Sequence, residues 1–145
     1  MIKPLLGPLL AAFLIGLPAA AGVPDQVPVI SRQIGAFKFG SGQTVFGKTE
    51  FLGGIDMSSS NALFGAFSSV RFRPDGTHFL GVLDTGHWME GRITRDADGR
   101  LSGLADVAIT SMRDSRNRTE DAKDRMDSEG LALRNGQALV SFERF

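Results

Sequence analysis

Glycine-bearing turn signals recur through the second half of the chain at intervals that leave room for strands but not for ordinary helices. Pro74-Asp75-Gly76, Thr85-Gly86 and Asp96-Ala97-Asp98-Gly99 place Gly76, Gly86 and Gly99 only 10 and 13 residues apart. Proline presets φ for a turn and glycine accepts φ > 0 without a steric penalty, so each signal has a mechanism. The runs between them read as strands. In Phe67–Phe72, Val70 and Phe72 alternate with Ser69 and Arg71, and His78–Asp84 (HFLGVLD) is an apolar strand. His87–Thr94 is a third strand and Arg100–Thr110 holds a fourth. With 18 Gly, 11 Phe and no Tyr among 145 residues, the chain is expected to be all-β and rich in turns.

Four short strands joined by tight turns have the form of one β-propeller blade, with a β-sandwich meander as the local alternative. A partial repeat favours the propeller. Gly130-Leu131-Ala132-Leu133, Arg134-Asn135-Gly136 and Ala138-Leu139-Val140-Ser141-Phe142 restate strand, turn, strand, and Gly136 lies 60 residues after Gly76. The expected architecture is therefore β-propeller-like antiparallel blades, about two of them and so incomplete in this chain. The two copies are separated by Met112–Ser128, a loop with five basic and five acidic residues. That density of mixed charge reads as a solvated excursion, or as a rim loop over a site.

The chain begins as an address. Met1-Ile2-Lys3 carries one positive charge, Leu5–Ala21 carries none, and Ala19 and Ala21 supply the small residues of a cleavage site. Residues 1–21 read as a secretory signal peptide, cleaved after Ala21; Pro4, Gly7, Pro8, Gly16 and Pro18 make a poor permanent membrane helix. The product is expected to be periplasmic or secreted and to meet a membrane only during export. Residues 22–45 read as an extended leader with a possible strand over Ile34–Phe39, and residues 46–145 as the β domain.

Export and composition exclude several functions. No Cys means no thiolate zinc site and no cysteine nucleophile. A net charge of zero argues against a nucleic-acid partner held by a basic face. Gly42-Gln43-Thr44-Val45-Phe46-Gly47-Lys48-Thr49 satisfies the phosphate-loop pattern, but Gly53-Gly54 follow closely where a helix is required, so a nucleotide is not expected. Asp96–Gly99 resembles the start of a calcium loop, yet a register with Gly99 sixth puts Thr94 first and Ala105 twelfth, which removes both key ligands. Asn117-Arg118-Thr119 is a glycosylation sequon, meaningful only in a eukaryotic secretory route. The two histidines, His78 and His87, lack metal-pair spacing, and no Gly-x-Ser-x-Gly elbow is present.

Carboxylate chemistry remains. Asp84 ends a strand with His87 just past the turn, Asp127-Ser128-Glu129-Gly130 precedes the second repeat, and Glu143-Arg144 ends it. Carboxylates at strand ends can collect a hard cation, which prefers oxygen ligands, polarises a phosphoryl oxygen and acidifies a bound water. Arg144, Arg71 or Arg73 would then hold phosphate through charge-assisted bonds. The bland alternative is that these acids cap and solubilise turns.

From Phe46 onward the chain resembles the phytase-like family, "esterase-like activity of phytase". The matching stretches are Phe51-Leu52-Gly53-Gly54-Ile55, Phe64-Gly65-Ala66-Phe67-Ser68-Ser69-Val70, Arg73-Pro74-Asp75-Gly76 and Leu83-Asp84-Thr85-Gly86-His87-Trp88. Asp127-Ser128-Glu129-Gly130-Leu131-Ala132 and Val140-Ser141-Phe142-Glu143-Arg144 complete them in the family's order. The resemblance implies a propeller-like fold, a small phosphorylated or ester substrate, and phosphoester or ester hydrolysis assisted by Ca2+. It implies Asp84, His87, Glu129 and Arg144 as catalytic candidates and Asp84, Asp127, Glu129 and Glu143 as metal ligands. The rival expectation is a non-catalytic propeller or β-sandwich binding module. Family members run well past Phe145, and a closed propeller needs roughly 160 residues at the least. The expectation is a fragment or truncated product, inactive as it stands, or a chain that completes its sheet with a partner.

Overall fold

The structure is a computed structural model that describes residues 24–114, 116–119 and 126–143. The signal peptide expected over 1–21 and the candidate Arg144 lie outside those residues. Eleven strands form among the described residues: β1 (Asp25–Gln26), β2 (Ile30–Ile34), β3 (Val45–Phe46), β4 (Thr49–Glu50), β5 (Gly54–Ser58), β6 (Phe67–Phe72), β7 (His78–Leu83), β8 (His87–Arg95), β9 (Leu101–Ser111), β10 (Ser128–Arg134) and β11 (Gln137–Phe142). The fold is all-β and antiparallel, as the turn spacing requires.

The meander β6 to β9, with β1 added beside β9, forms a five-stranded sheet in the order β1-β9-β8-β7-β6. The turns between its strands are those expected. Gly76 N donates to Arg73 O at 2.9 Å, Gly86 N to Leu83 O at 3.0 Å, and Gly99 N to Asp96 O at 3.0 Å. The second repeat is the hairpin β10–β11, closed by Asn135-Gly136 with both residues at positive φ, 50° and 75°. Two consecutive left-handed residues make a type I′ turn, whose twist matches the flanking strands.

Side-chain alternation on β7 divides the core in two. Phe79 and Leu83 face one side with Val27, Met89, Val107 and Ile109. Val82 faces the other with Met112, Met126 and Leu131, the last delivered by β10. A strand buried on both faces reads as the continuous apolar run seen in the sequence. The antiparallel hairpin β2–β5 packs over β9, where Ser31 Oγ accepts a hydrogen bond from Leu104 N at 3.3 Å. A Cβ on Gly103 would stand 3.1 Å from Ser31 Cβ, so a side chain there would press β2 away from β9 by a few tenths of an ångström.

The leader is built into this arrangement: Asp25 and Gln26 pair with Ile109 and Ala108 at the sheet edge. The strand expected over Ile34–Phe39 lies earlier, because β5 begins at Gly54 opposite Ile34 and leaves the residues after Ile34 with nothing to pair with. Phe37 instead packs against Phe46 and Phe51, with ring centroids 5.0 and 5.9 Å apart. The phosphate-loop look-alike folds as the small hairpin β3–β4, with Gly47 at φ 64° in its turn.

Two turns are organised by an aspartate. Asp75 Oδ1 accepts Thr77 N and His78 N at 2.8 and 2.9 Å, and Oδ2 lies 2.8 Å from His78 Nδ1. Asp114 accepts Arg116 N and Arg118 N, then holds the Arg118 guanidinium at 2.9 and 2.7 Å. The amide of Thr77, then that of His78, holds the Asp75 carboxyl down at about 2, and the Arg118 amide and guanidinium do the same for Asp114. A depressed carboxyl stabilises the fold fully above its unfolded value, near 3.8 here, and loses that contribution as pH falls. Both turns are therefore expected to loosen between about pH 4 and pH 2. Carboxyl-carbon NMR titration should place both midpoints near 2; midpoints at the ordinary 3.8 would contradict these hydrogen bonds.

Candidate metal centre

The hairpin β10–β11 gathers three of the four carboxylates named as metal candidates. Asp127, Glu129 and Glu143 each offer an oxygen within 4.8 Å of the others. Alternation puts Asp127 and Glu129, two residues apart, on one face of an extended segment. Glu143 joins them through register. Counted from the Asn135-Gly136 turn, Arg134 faces Gln137 and Leu131 faces Val140, a pairing that would carry Glu143 to a position opposite Ser128. A bulge between Ser128 and Gly130 shifts the ladder by one residue, so Ser128 faces Phe142. Glu143 N then donates to Asp127 O at 2.9 Å. Residues directly opposite share a face, so the bulge moves Glu143 to the side of Asp127.

Ser128 anchors this segment to the large sheet. It is fully buried, and its Oγ donates to Leu83 O at 2.6 Å. No motif in the sequence marks it, since a serine between two acids carries no signal of its own. Replacing it with alanine removes one buried hydrogen bond while Leu83 O keeps Gly86 N, so Ser128→Ala is expected to cost about 1 kcal/mol in urea unfolding.

The other candidates are not members of this group of three. Asp84 heads the β7–β8 turn beside Leu83, and its amide donates to Ala66 O at 3.0 Å. His87 Nδ1 lies 2.8 Å from Thr85 O and 3.0 Å from Thr85 Oγ1. A carbonyl only accepts, so Nδ1 carries the proton in the neutral ring and Nε2 is the acceptor. Neither residue belongs to the group within 4.8 Å. Arg71 folds back on its own strand, donating to Val70 O and Ser69 Oγ at 2.7 and 3.3 Å. Arg73 sits past the far end of β6, where its amide donates to His78 O. The length of β7 separates that end from Leu83 by about 17 Å. The structure thus removes Arg71 and Arg73 from the carboxylate end of the molecule.

The charged loop leaves and returns beside the same end. Met112 and Met126 are both buried in the second core, and Met112 N donates to Gly86 O at 2.9 Å. Residues 115 and 120–125 of that loop lie outside the described residues.

The family model described as Phytase-like, esterase-like activity of phytase, matches residues 62–145, more than half of the chain. The chain belongs to the phytase-like family. No curated protein and no solved structure gives a significant match. The part of this phytase-like chain that the family model covers runs from just before β6 through β11, so it includes the Asp84 turn and the whole carboxylate group.

Proposed function

We propose that this phytase-like protein is exported, that it holds a divalent hard cation, Ca2+ by preference, at Asp127, Glu129 and Glu143, and that the site serves phosphoester hydrolysis. The observation that carries the reading is the three carboxylates within 4.8 Å of one another inside the family-matched segment. Two like charges at that separation repel by about 1 kcal/mol even in bulk water, and a shared cation would turn this repulsion into attraction. An all-oxygen donor set suits calcium or magnesium rather than a thiolate-seeking metal. When bound, the ion would polarise a phosphoryl oxygen and lower the pKa of a coordinated water. The chain's own contribution is orientation. The Ser128–Leu83 hydrogen bond and the Glu143–Asp127 backbone bond keep the carboxylates from spreading, and His87 presents Nε2 as a proton acceptor at the adjoining turn.

A small phosphomonoester such as p-nitrophenyl phosphate tests the reading, with calorimetric calcium titration alongside. Calcium-dependent turnover that chelation abolishes supports it. Calcium binding without turnover supports the second reading, a cation-holding binding module, since the group of three carboxylates includes neither His87 nor any other nitrogen ligand.

A further inference from the structure

The second core does not run the whole length of the hairpin. Val82 of β7 and Leu131 of β10 meet in it and are 0% and 2% exposed. Two residues away along each strand, alternation puts Leu80 and Leu133 on the same faces. Leu133 is 39% exposed, and Leu80 is only partly buried. The hairpin tip therefore stands off the sheet and leaves a cleft of about 580 Å³ between the β6–β7 turn and the β10–β11 turn. Both walls are paired strands, β6 with β7 and β10 with β11. Phe72, Leu80, Leu133 and Ala138 give the cleft an apolar lining, and Arg73 and Arg134 are its only ionisable lining residues. The described ion pairs join His78 to Asp75, Arg92 to Asp106 and Arg118 to Asp114, and neither Arg73 nor Arg134 takes part in one.

We propose that this cleft binds a small organic anion, a carboxylate or phosphate on an apolar body, with Arg73 and Arg134 holding the anion and Leu80 and Leu133 the body. Two like charges on one cleft with no counter-charge in its lining attract an anion between them. The planar fork of a guanidinium matches the paired oxygens of either anion. An apolar wall with a few polar groups, at this volume, is also the composition of small-molecule sites in general. The cleft lies at the far end of β7 from Leu83, whose carbonyl anchors the carboxylate segment through Ser128. That separates the two by about the 17 Å length of the strand, so an anion held here is not the group acted on at the metal centre.

The probes are 2-naphthoate and phenylphosphonate, titrated into the full-length chain in calcium-free buffer and followed by amide NMR. At least one should bind with Kd of about 1 mM or tighter, moving the amides of Leu80, Leu133 and Ala138 and leaving the His87 turn in place. Binding of naphthoate alone assigns a carboxylate, and of phenylphosphonate alone a phosphate. 2-Naphthol and inorganic phosphate each lack one half of the ligand and should bind about tenfold more weakly. Arg73→Gln and Arg134→Gln should each weaken binding by about tenfold, and lysine at either position should restore part of it. Both side chains are exposed, so the far-ultraviolet dichroism spectrum should not change. Absence of binding by both anions overturns the proposal, as does an affinity unchanged in both glutamine variants. Naphthol binding as tightly as naphthoate, or shifts confined to the His87 turn, would overturn it equally.

Discussion

Asp127→Asn, Glu129→Gln and Glu143→Gln are each expected to weaken calcium binding by more than about tenfold, the smallest loss that removing even a supporting partner of a metal ligand usually brings. All three side chains are at least partly exposed, and their oxygens lie within 4.8 Å of one another, so the substitutions change charge and ligand count with little effect on packing. The thermal midpoint without calcium should stay close to that of the parent, and the rise in midpoint on adding calcium should shrink in each variant. Asp84→Asn is the contrast, since Asp84 stands outside the group of three. It is expected to leave calcium affinity within a few-fold of the parent. Isothermal titration at low ionic strength measures all four. A set in which Asp84→Asn abolishes binding while Glu143→Gln does not would move the centre to the β7–β8 turn.

Leu83→Ala should give the largest loss of stability of any single truncation in the sheet. Leu83 is fully buried, packs with Phe79, Met89 and Ile109, and is the residue whose carbonyl receives both Gly86 N and Ser128 Oγ. Truncating such a leucine costs about 3 kcal/mol, the transfer of the lost carbons plus the cavity left behind. In a domain of this size that lowers the thermal midpoint by about 10 °C. Leu52→Ala is the matched control. At 73% exposure its loss should stay within about 0.5 kcal/mol. A midpoint shift for Leu83→Ala no larger than that of Leu52→Ala would contradict the packing described here.

The antiparallel meander was legible because its turns are chemically marked. Pro74-Asp75-Gly76, Thr85-Gly86, Asp96–Gly99 and Asn135-Gly136 each need a residue that tolerates positive φ, and the runs between them alternate or are wholly apolar. The N-terminal strands were not legible. β1 is two polar residues, and β2 reads Ile-Ser-Arg-Gln-Ile, so their strand character comes from the partners they find on β9 and β5. Local pattern carries no information about a partner that lies 20 or more residues away.

The same division runs through the candidate centre. Asp127 and Glu129 share a face by alternation alone, and the Asn-Gly turn marks the hairpin that follows, so the sequence by itself determined two of the three clustered carboxylates and the strand pair that bears them. Glu143 was a different matter. The register counted from the turn sends it to the side of Ser128; only the bulge at Glu129 returns it to Asp127. Ser128 has its hydroxyl buried against Leu83 O, a contact between residues 45 positions apart that fixes where β10 begins on the large sheet. Short-range chemistry chose the strands and their turns, whereas the packing of one hairpin on a distant sheet decided which carboxylates meet.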